Sequence, residues 1–68
     1  MNALDAMGWL EERGGRWSVR ATAATCVVVA SVGSVRVAKP VPRLLPTHVD
    51  DALVGAVEEL QGMHKTAA

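Results

Sequence analysis

The chain has 68 residues, half of them hydrophobic, and its seven basic and seven acidic side chains cancel to zero net charge. Zero net charge excludes a global field that would attract nucleic acid or membranes. A single cysteine, Cys26, excludes an internal disulfide, and no Cys/His cluster has metal-ligand spacing. We therefore expect one small domain over residues 1–68, with no cofactor and no metal.

The first predicted element is a helix over residues 2–13. Asn2 is a good N-cap, and Asp5 lies in the first turn, where the helix dipole favours negative charge. Its apolar stripe at helical spacing contains Leu4, Met7 and Leu10, with Ala3 and Ala6 beside them. Gly14 and Gly15 predict the end of the helix, because glycine adopts the left-handed C-terminal conformation at low cost.

An antiparallel sheet is predicted over residues 16–39. Its first strand alternates apolar and polar side chains, which is typical of a half-buried strand. We expect Trp17 and Val19 to be buried against the helices. The side chains expected on the opposite face are Arg16, Ser18 and Arg20.

The centre of the sheet is predicted at residues 26–32, where β-branched valines dominate. Gly33 and Ser34 form a two-residue hairpin signal of the glycine-first type. A returning strand follows at residues 35–39. Residues 22–25 either extend the first strand or form a turn.

The uncharged run at 21–35 has two other interpretations, a transmembrane helix or a signal peptide. It is shorter than the roughly 20 apolar residues that span a bilayer. Glu11 and Glu12 lie upstream of it, whereas a signal peptide begins with a basic region. We therefore expect no membrane association and a cytoplasmic location.

A proline-rich connector is predicted over residues 40–46. Pro40 and Pro42 stop the sheet, because proline has no N–H to donate to the strand ladder. Two leucines in this connector are expected to pack against the core: Leu44 and Leu45.

A second helix is predicted over residues 47–61. Thr47 caps it, with Asp50 at the third helical position. Gly62 ends it, and residues 62–68 form a frayed tail. Its apolar stripe contains Val49, Ala52, Leu53, Ala56, Val57 and Leu60.

These elements predict an α+β, two-layer sandwich in the order helix, two- or three-stranded antiparallel sheet, helix. The inferred αβββα order resembles the topology of the double-stranded-RNA-binding family over most of the chain. That resemblance implies phosphate binding by lysines at the start of the second helix. Here the equivalent stretch is HVDDAL, and its Asp50 and Asp51 would repel phosphate. Nucleic-acid binding is the alternative function, and because of these two acids it would use the basic face of the sheet rather than the second helix.

Charge is segregated along the chain. No acidic residue lies between positions 13 and 43, and all seven acids lie in the predicted helices. The basic residues of that interval are Arg13, Arg16, Arg20, Arg36, Lys39 and Arg43. Such a surface is either a solvated face or a docking surface for an acidic protein. The predicted partner-binding residues are Arg16, Arg20, Arg36, Lys39 and Arg43.

No constellation of catalytic groups is visible. Cys26 lies in the most apolar run, where thiols are usually inert. Helix capping and the helix dipole explain Asp50 and Asp51 beside His48. We therefore expect no enzyme, but a small protein-binding module, such as a phage- or mobile-element-encoded inhibitor that docks on a host protein. The thin core also favours a homodimer.

Overall fold

A computed structural model describes residues 1–42 and 45–67, with side chains described as far as Met63. The chain forms two helices and a three-stranded antiparallel sheet in the spatial order β1-β2-β3. The elements are α1 (Ala3–Glu12), β1 (Arg16–Ala21), β2 (Cys26–Val32), β3 (Val35–Pro40) and α2 (Pro46–Ala67). Both helices contribute to one core against the same face of the sheet. The predicted α+β fold is confirmed.

Both ends of α1 follow from the sequence. The Asn2 side chain accepts the Asp5 backbone N–H at 2.9 Å, and the Asp5 carboxylate accepts the Asn2 N–H, which together form a capping box. At the other end Gly14 has φ +65°, and the Gly15 N–H donates to the Leu10 carbonyl at 2.7 Å. This is the glycine-ended C-terminal motif that the sequence predicts.

The buried side of α1 differs from the predicted stripe. Ala6 and Leu10 are fully buried, whereas Leu4 is 77% exposed. At 100° per residue, Leu4 lies about 160° around the helix from Ala6, on the solvent side. The assignment of Leu4 to the core is therefore wrong, whereas Ala3 and Ala6, expected beside the stripe, do pack in or against the core.

Two tight turns connect the strands. The Thr22 N–H donates to the Thr25 carbonyl at 2.7 Å, and the Thr25 N–H donates to the Thr22 hydroxyl at 3.0 Å. Residues 22–25 therefore form a turn. Between β2 and β3, Gly33 has φ +61° while Ser34 keeps a negative φ, which confirms the glycine-first hairpin.

The sheet continues past the predicted stop at Pro40. Pro40 is the last residue of β3, and the Val41 N–H still donates to the Cys26 carbonyl at 2.8 Å. Proline is tolerated here because β3 is an edge strand. Leu45 is 45% exposed, so its predicted packing against the core is wrong. Leu44 lies outside the described residues.

The start of α2 also corrects the sequence analysis. The helix begins at Pro46, and the Val49 N–H donates to the Leu45 carbonyl at 3.0 Å. Proline suits the first helical position, because its φ is already helical and its missing N–H is not needed there. Thr47 is therefore inside the first turn rather than its cap, and Asp50 is the fifth helical residue rather than the third.

Gly62 does not end α2, which runs on to Ala67. The predicted end at residue 61 and the frayed tail over 62–68 are therefore wrong for the described part of that segment. Glycine inside a helix costs about 1 kcal/mol, which lowers stability without breaking the helix. No proline follows to force an end.

The core lies between α2 and strands β2 and β3. The buried members of the predicted α2 stripe are Leu53, Ala56, Val57 and Leu60, with Val49 and Ala52 half-buried at its margin. All six residues of β1 are exposed, including Trp17 at 40% and Val19 at 36%. Their predicted burial is wrong because α2 covers β2 and β3, and α1 packs mainly on α2.

Candidate functional site

The sheet has one face that neither helix covers. Residues opposite each other in an antiparallel sheet point to the same side, and Val28 and Ala30 point into the core. Their neighbours along each strand therefore point away from the helices. This helix-free face has three rows, which are Arg16–Ser31–Arg36, Ser18–Val29–Ala38 and Arg20–Val27–Pro40.

The helix-free face contains a shallow depression of about 280 Å³. Its lining residues are Arg16, Trp17, Ser18, Arg20, Val29, Ser31 and Arg36. Val29 is only 9% exposed although no helix lies over it, so it forms an apolar floor beneath the longer side chains. A guanidinium group carries five N–H donors in a planar fork. The site therefore combines the guanidinium groups of Arg16, Arg20 and Arg36 with an apolar floor.

The three arginines of this face have no partner among the described side chains. The ion pairs found there join Arg13 to Glu12 at 3.6 Å and Lys39 to Glu59. None of the nine side chains on the helix-free face is acidic. The guanidinium groups of Arg16, Arg20 and Arg36 are therefore available to an external acceptor.

The structure separates Lys39, another predicted binding residue, from this site. Lys39 is opposite Val28, so it lies on the helix side of β3, where it pairs with Glu59. Arg43 lies outside the described residues. Three of the five predicted partner-binding residues thus share one face, and Lys39 belongs to the opposite face.

Arg13 has a local role. Its guanidinium carbon lies 4.2 Å from the centroid of the Trp9 ring, and its Nη1 donates to the Trp9 carbonyl at 3.2 Å. A cation near a helix C-terminus also interacts favourably with the helix dipole. The described basic residues of this interval therefore have three different places: Arg13 at the end of α1, Lys39 on the helix side of β3, and Arg16, Arg20 and Arg36 on the helix-free face.

Trp17 is more exposed than the sequence pattern predicts. Its register places it on the helix side of β1, opposite Ala30, yet it is 40% exposed. The first strand of a three-stranded meander is always an edge strand. The strand order, which can be inferred from the sequence, therefore indicates that the Trp17 side chain is less covered than the alternation of β1 alone suggests.

A second depression, of about 510 Å³, lies between β3 and the start of α2. Lys39, His48 and Asp51 contribute its polar groups, and His48 Nδ1 is buried with no hydrogen-bond partner among the described atoms. Asp50 borders a different depression, together with Glu58. No group of three potential metal ligands occurs in the described part of the chain.

Cys26 is a free, half-buried thiol at the start of β2. Its packing against the core follows from its place in the apolar run. Neither of the two described helices is long and apolar enough to cross a membrane.

The α-β-β-β-α order is the one inferred from the sequence. Asp50 and Asp51 lie in the second turn of α2. No family model matches the chain, and no curated protein or solved structure matches it either.

Proposed function

We propose that the protein is a non-enzymatic binding module that docks through its helix-free face on an acidic surface of another protein. The observation that carries this proposal is the convergence of Arg16, Arg20 and Arg36 around an apolar floor with no acidic neighbour. Guanidinium forks bind carboxylates in bidentate geometry, and the apolar floor adds contact area that pure charge does not supply. A cytoplasmic accessory protein, such as a phage-encoded inhibitor, is the kind of protein that this proposal describes.

Charge segregation supports docking in one orientation. The helix-free face carries only positive charge, whereas the acids lie on the helices, for example Asp5 on α1 and Glu58 on α2. An acidic partner is therefore attracted to one side of the molecule and repelled from the other, although the net charge is zero. Complementary charge of this kind mainly raises the association rate, and the effect falls with added salt.

The size of the helix-free face also constrains the interface. Three strands of six or seven residues cover roughly 15 Å by 20 Å, or about 300 Å². A stable interface buries about 800 Å² on each partner. The contact must therefore extend past the edge of this face, and Trp17 lies at that edge.

The test is affinity capture from a lysate of the source organism, with captured proteins identified by mass spectrometry. The informative variant is the triple charge reversal Arg16→Glu, Arg20→Glu and Arg36→Glu. Lys39→Glu is the matched control, because Lys39 lies on the other face of the same strand as Arg36. We expect the triple variant to lose a specific acidic partner that the control retains. Capture of that partner at wild-type level by the triple variant would contradict the proposal.

Nucleic-acid binding is the second candidate, and the exposed Trp17 favours it. Single-stranded bases stack on exposed aromatic rings close to basic side chains, and the exposed Trp17 follows Arg16 directly on β1, although its side chain is on the other face of the strand. Asp50 and Asp51 lie on α2, in the other layer of the fold. Fluorescence anisotropy with labelled single- and double-stranded RNA tests this candidate. Binding through three arginines predicts a log–log salt slope of about −2 to −3, because each phosphate contact releases counterions.

A further inference from the structure

We propose that β1 accepts an extended segment of the partner as a fourth strand, and that this segment alternates acidic and apolar side chains. The inference rests on the proposed function and specifies the shape and side-chain pattern of the partner. It follows from the free edge of β1, from the different chemistry of the two faces of that strand, and from the contrast with β3.

The outer edge of β1 is open. Among the described strands only β2 pairs with it, and each of its six residues is exposed. A free strand edge presents unpaired N–H and C=O groups that accept another strand. Strand addition of this kind is a common mode of peptide recognition, in which main-chain hydrogen bonds supply affinity and alternate side chains supply specificity.

The two faces of β1 differ in chemistry. Arg16, Ser18 and Arg20 point to the helix-free face, as their pairing with Ser31, Val29 and Val27 requires. The side chains on the helix side are Trp17, Val19 and Ala21. A strand placed beside β1 sends alternate side chains to these two faces. Acidic side chains would then face the arginines, and apolar side chains would cover Trp17 and Val19.

The other edge of the sheet, β3, is less suited to this role. Val37 is buried beneath the helices and Lys39 pairs with Glu59 of α2, so Val35 is the one exposed apolar side chain among the described residues on the helix side of β3. Pro40 ends the strand and has no N–H to donate. Among the described strands, only β1 therefore combines an open edge with two large exposed apolar side chains at alternate positions, Trp17 and Val19.

A second copy of the chain fits this edge poorly. In the antiparallel register with Ser18 opposite Ser18, one of the two registers nearest the middle of β1, Arg16 of one copy lies opposite Arg20 of the other. Like charges directly opposite each other destabilise a strand pair. None of the described strands carries an acidic residue that would relieve this repulsion. The edge is therefore better matched by an acidic strand from another protein.

The probe is a blocked synthetic peptide of about seven residues, the length of an ordinary strand, in which Glu and Val alternate. The control peptide has the same composition with its Glu and Val residues in two blocks. Binding is followed by fluorescence of Trp17 in a Trp9→Phe variant, which leaves Trp17 as the single tryptophan. We expect the alternating peptide to bind about tenfold more tightly than the block peptide and to shift the Trp17 emission to shorter wavelength, as burial of the ring requires.

Two further comparisons test the strand geometry. In an added strand, alternate N–H groups point to β1 and the others point to solvent. N-methylation at one set of alternate positions should therefore weaken binding about tenfold, while methylation at the other set should leave it unchanged. On the protein side, Val19→Thr should weaken binding. Val35→Thr, at an equally exposed valine of β3, should leave binding unchanged.

The outcomes separate this inference from the proposed function. In one outcome the two peptides bind equally, with no effect of the methylation position, and this binding is lost in the triple arginine variant. That result overturns strand addition, while docking by charge stands. Failure of both peptides to bind at low salt also overturns strand addition. The proposed function is then judged by whether native-partner capture depends on the three arginines. Tight binding of the alternating peptide by the triple variant contradicts both.

Discussion

Arg16 and Arg36 lie in one cross-strand row on the helix-free face, with Ser31 of the central strand between them. Two strand spacings place their backbones about 10 Å apart. This distance is close to the Debye length at 0.1 M salt, so their mutual repulsion is largely screened there. The repulsion within the pair therefore lowers the free energy of unfolding only slightly at physiological salt, while both guanidinium groups remain accessible to an acceptor.

The first prediction concerns the effect of these charges on stability. Arg36→Gln should change the free energy of unfolding by less than about 0.5 kcal/mol at physiological salt, as is usual for exposed surface residues. At about 0.01 M salt, where screening is weak, the substitution should stabilise the fold slightly by removing repulsion. Urea unfolding followed by circular dichroism at both salt concentrations measures this. A loss above 1 kcal/mol, against about 0.5 expected, would give Arg36 a structural role.

The second prediction concerns the main packing contact. Leu53 is 1% exposed in the core beneath α2, so Leu53→Ala should lower the free energy of unfolding by roughly 2–5 kcal/mol. Leu4→Ala is the matched control, because the same atoms are removed from a side chain that is 77% exposed. Thermal and urea unfolding of the two variants should differ clearly. Equal midpoints would show that Leu53 is not in the core.

The third prediction uses two glycines of the same helix region. Gly14 has φ +65°, where a Cβ atom is strained, so Gly14→Ala should destabilise the fold by roughly 1–2 kcal/mol. Gly8 is inside α1, and a Cβ atom added there would meet no heavy atom within 4 Å beyond the backbone of its own helix. Gly8→Ala should therefore stabilise the fold by about 0.5–1 kcal/mol. The same chemical change should thus shift the unfolding midpoint in opposite directions, and shifts of the same sign would contradict the assigned end of α1.

Local signals in the sequence predicted the elements well. The Asn2 cap, the glycine end of α1 and the Gly33 hairpin each depend on a few neighbouring residues, so the sequence contains what decides them. Alternation also placed Arg16 and Arg20 on one side of β1, because the side-chain period of a strand is fixed by its geometry.

Predictions that depended on tertiary context were less reliable. Alternation gave the side of the sheet on which Trp17 lies but not its burial, because burial depends on which strands α2 covers. Charge alone groups Lys39 with the arginines, although its position in the alternation of β3 places it on the helix side. The positions that glycine and threonine most often occupy predict a helix end at Gly62 and an N-cap at Thr47. The actual helix limits instead reflect Pro46 at the start and the absence of a later proline.

The last prediction concerns self-association. The homodimer expected from the thin core stays a prediction, and the charges on β1 give it a testable salt dependence. If two copies pair through β1 with Ser18 opposite Ser18, Arg16 of each copy lies opposite Arg20 of the other, so salt should strengthen the dimer by screening this repulsion. Binding of an acidic partner should weaken with salt, so the two associations respond in opposite directions.

Sedimentation equilibrium at micromolar concentration measures this. We expect a mass near the chain's 7.2 kDa at low salt and a rising dimer fraction as salt is added. Arg20→Glu should reverse the trend, because the introduced carboxylate would face Arg16 of the second copy and, by two-fold symmetry, form two attractive pairs in each dimer. Arg36→Glu is the control, since Arg36 lies on β3, two strands away from the outer edge of β1. A monomer under every condition, including the Arg20→Glu variant, would contradict pairing through β1. A dimer that ignores both salt and Arg20 would place the contact elsewhere on the molecule.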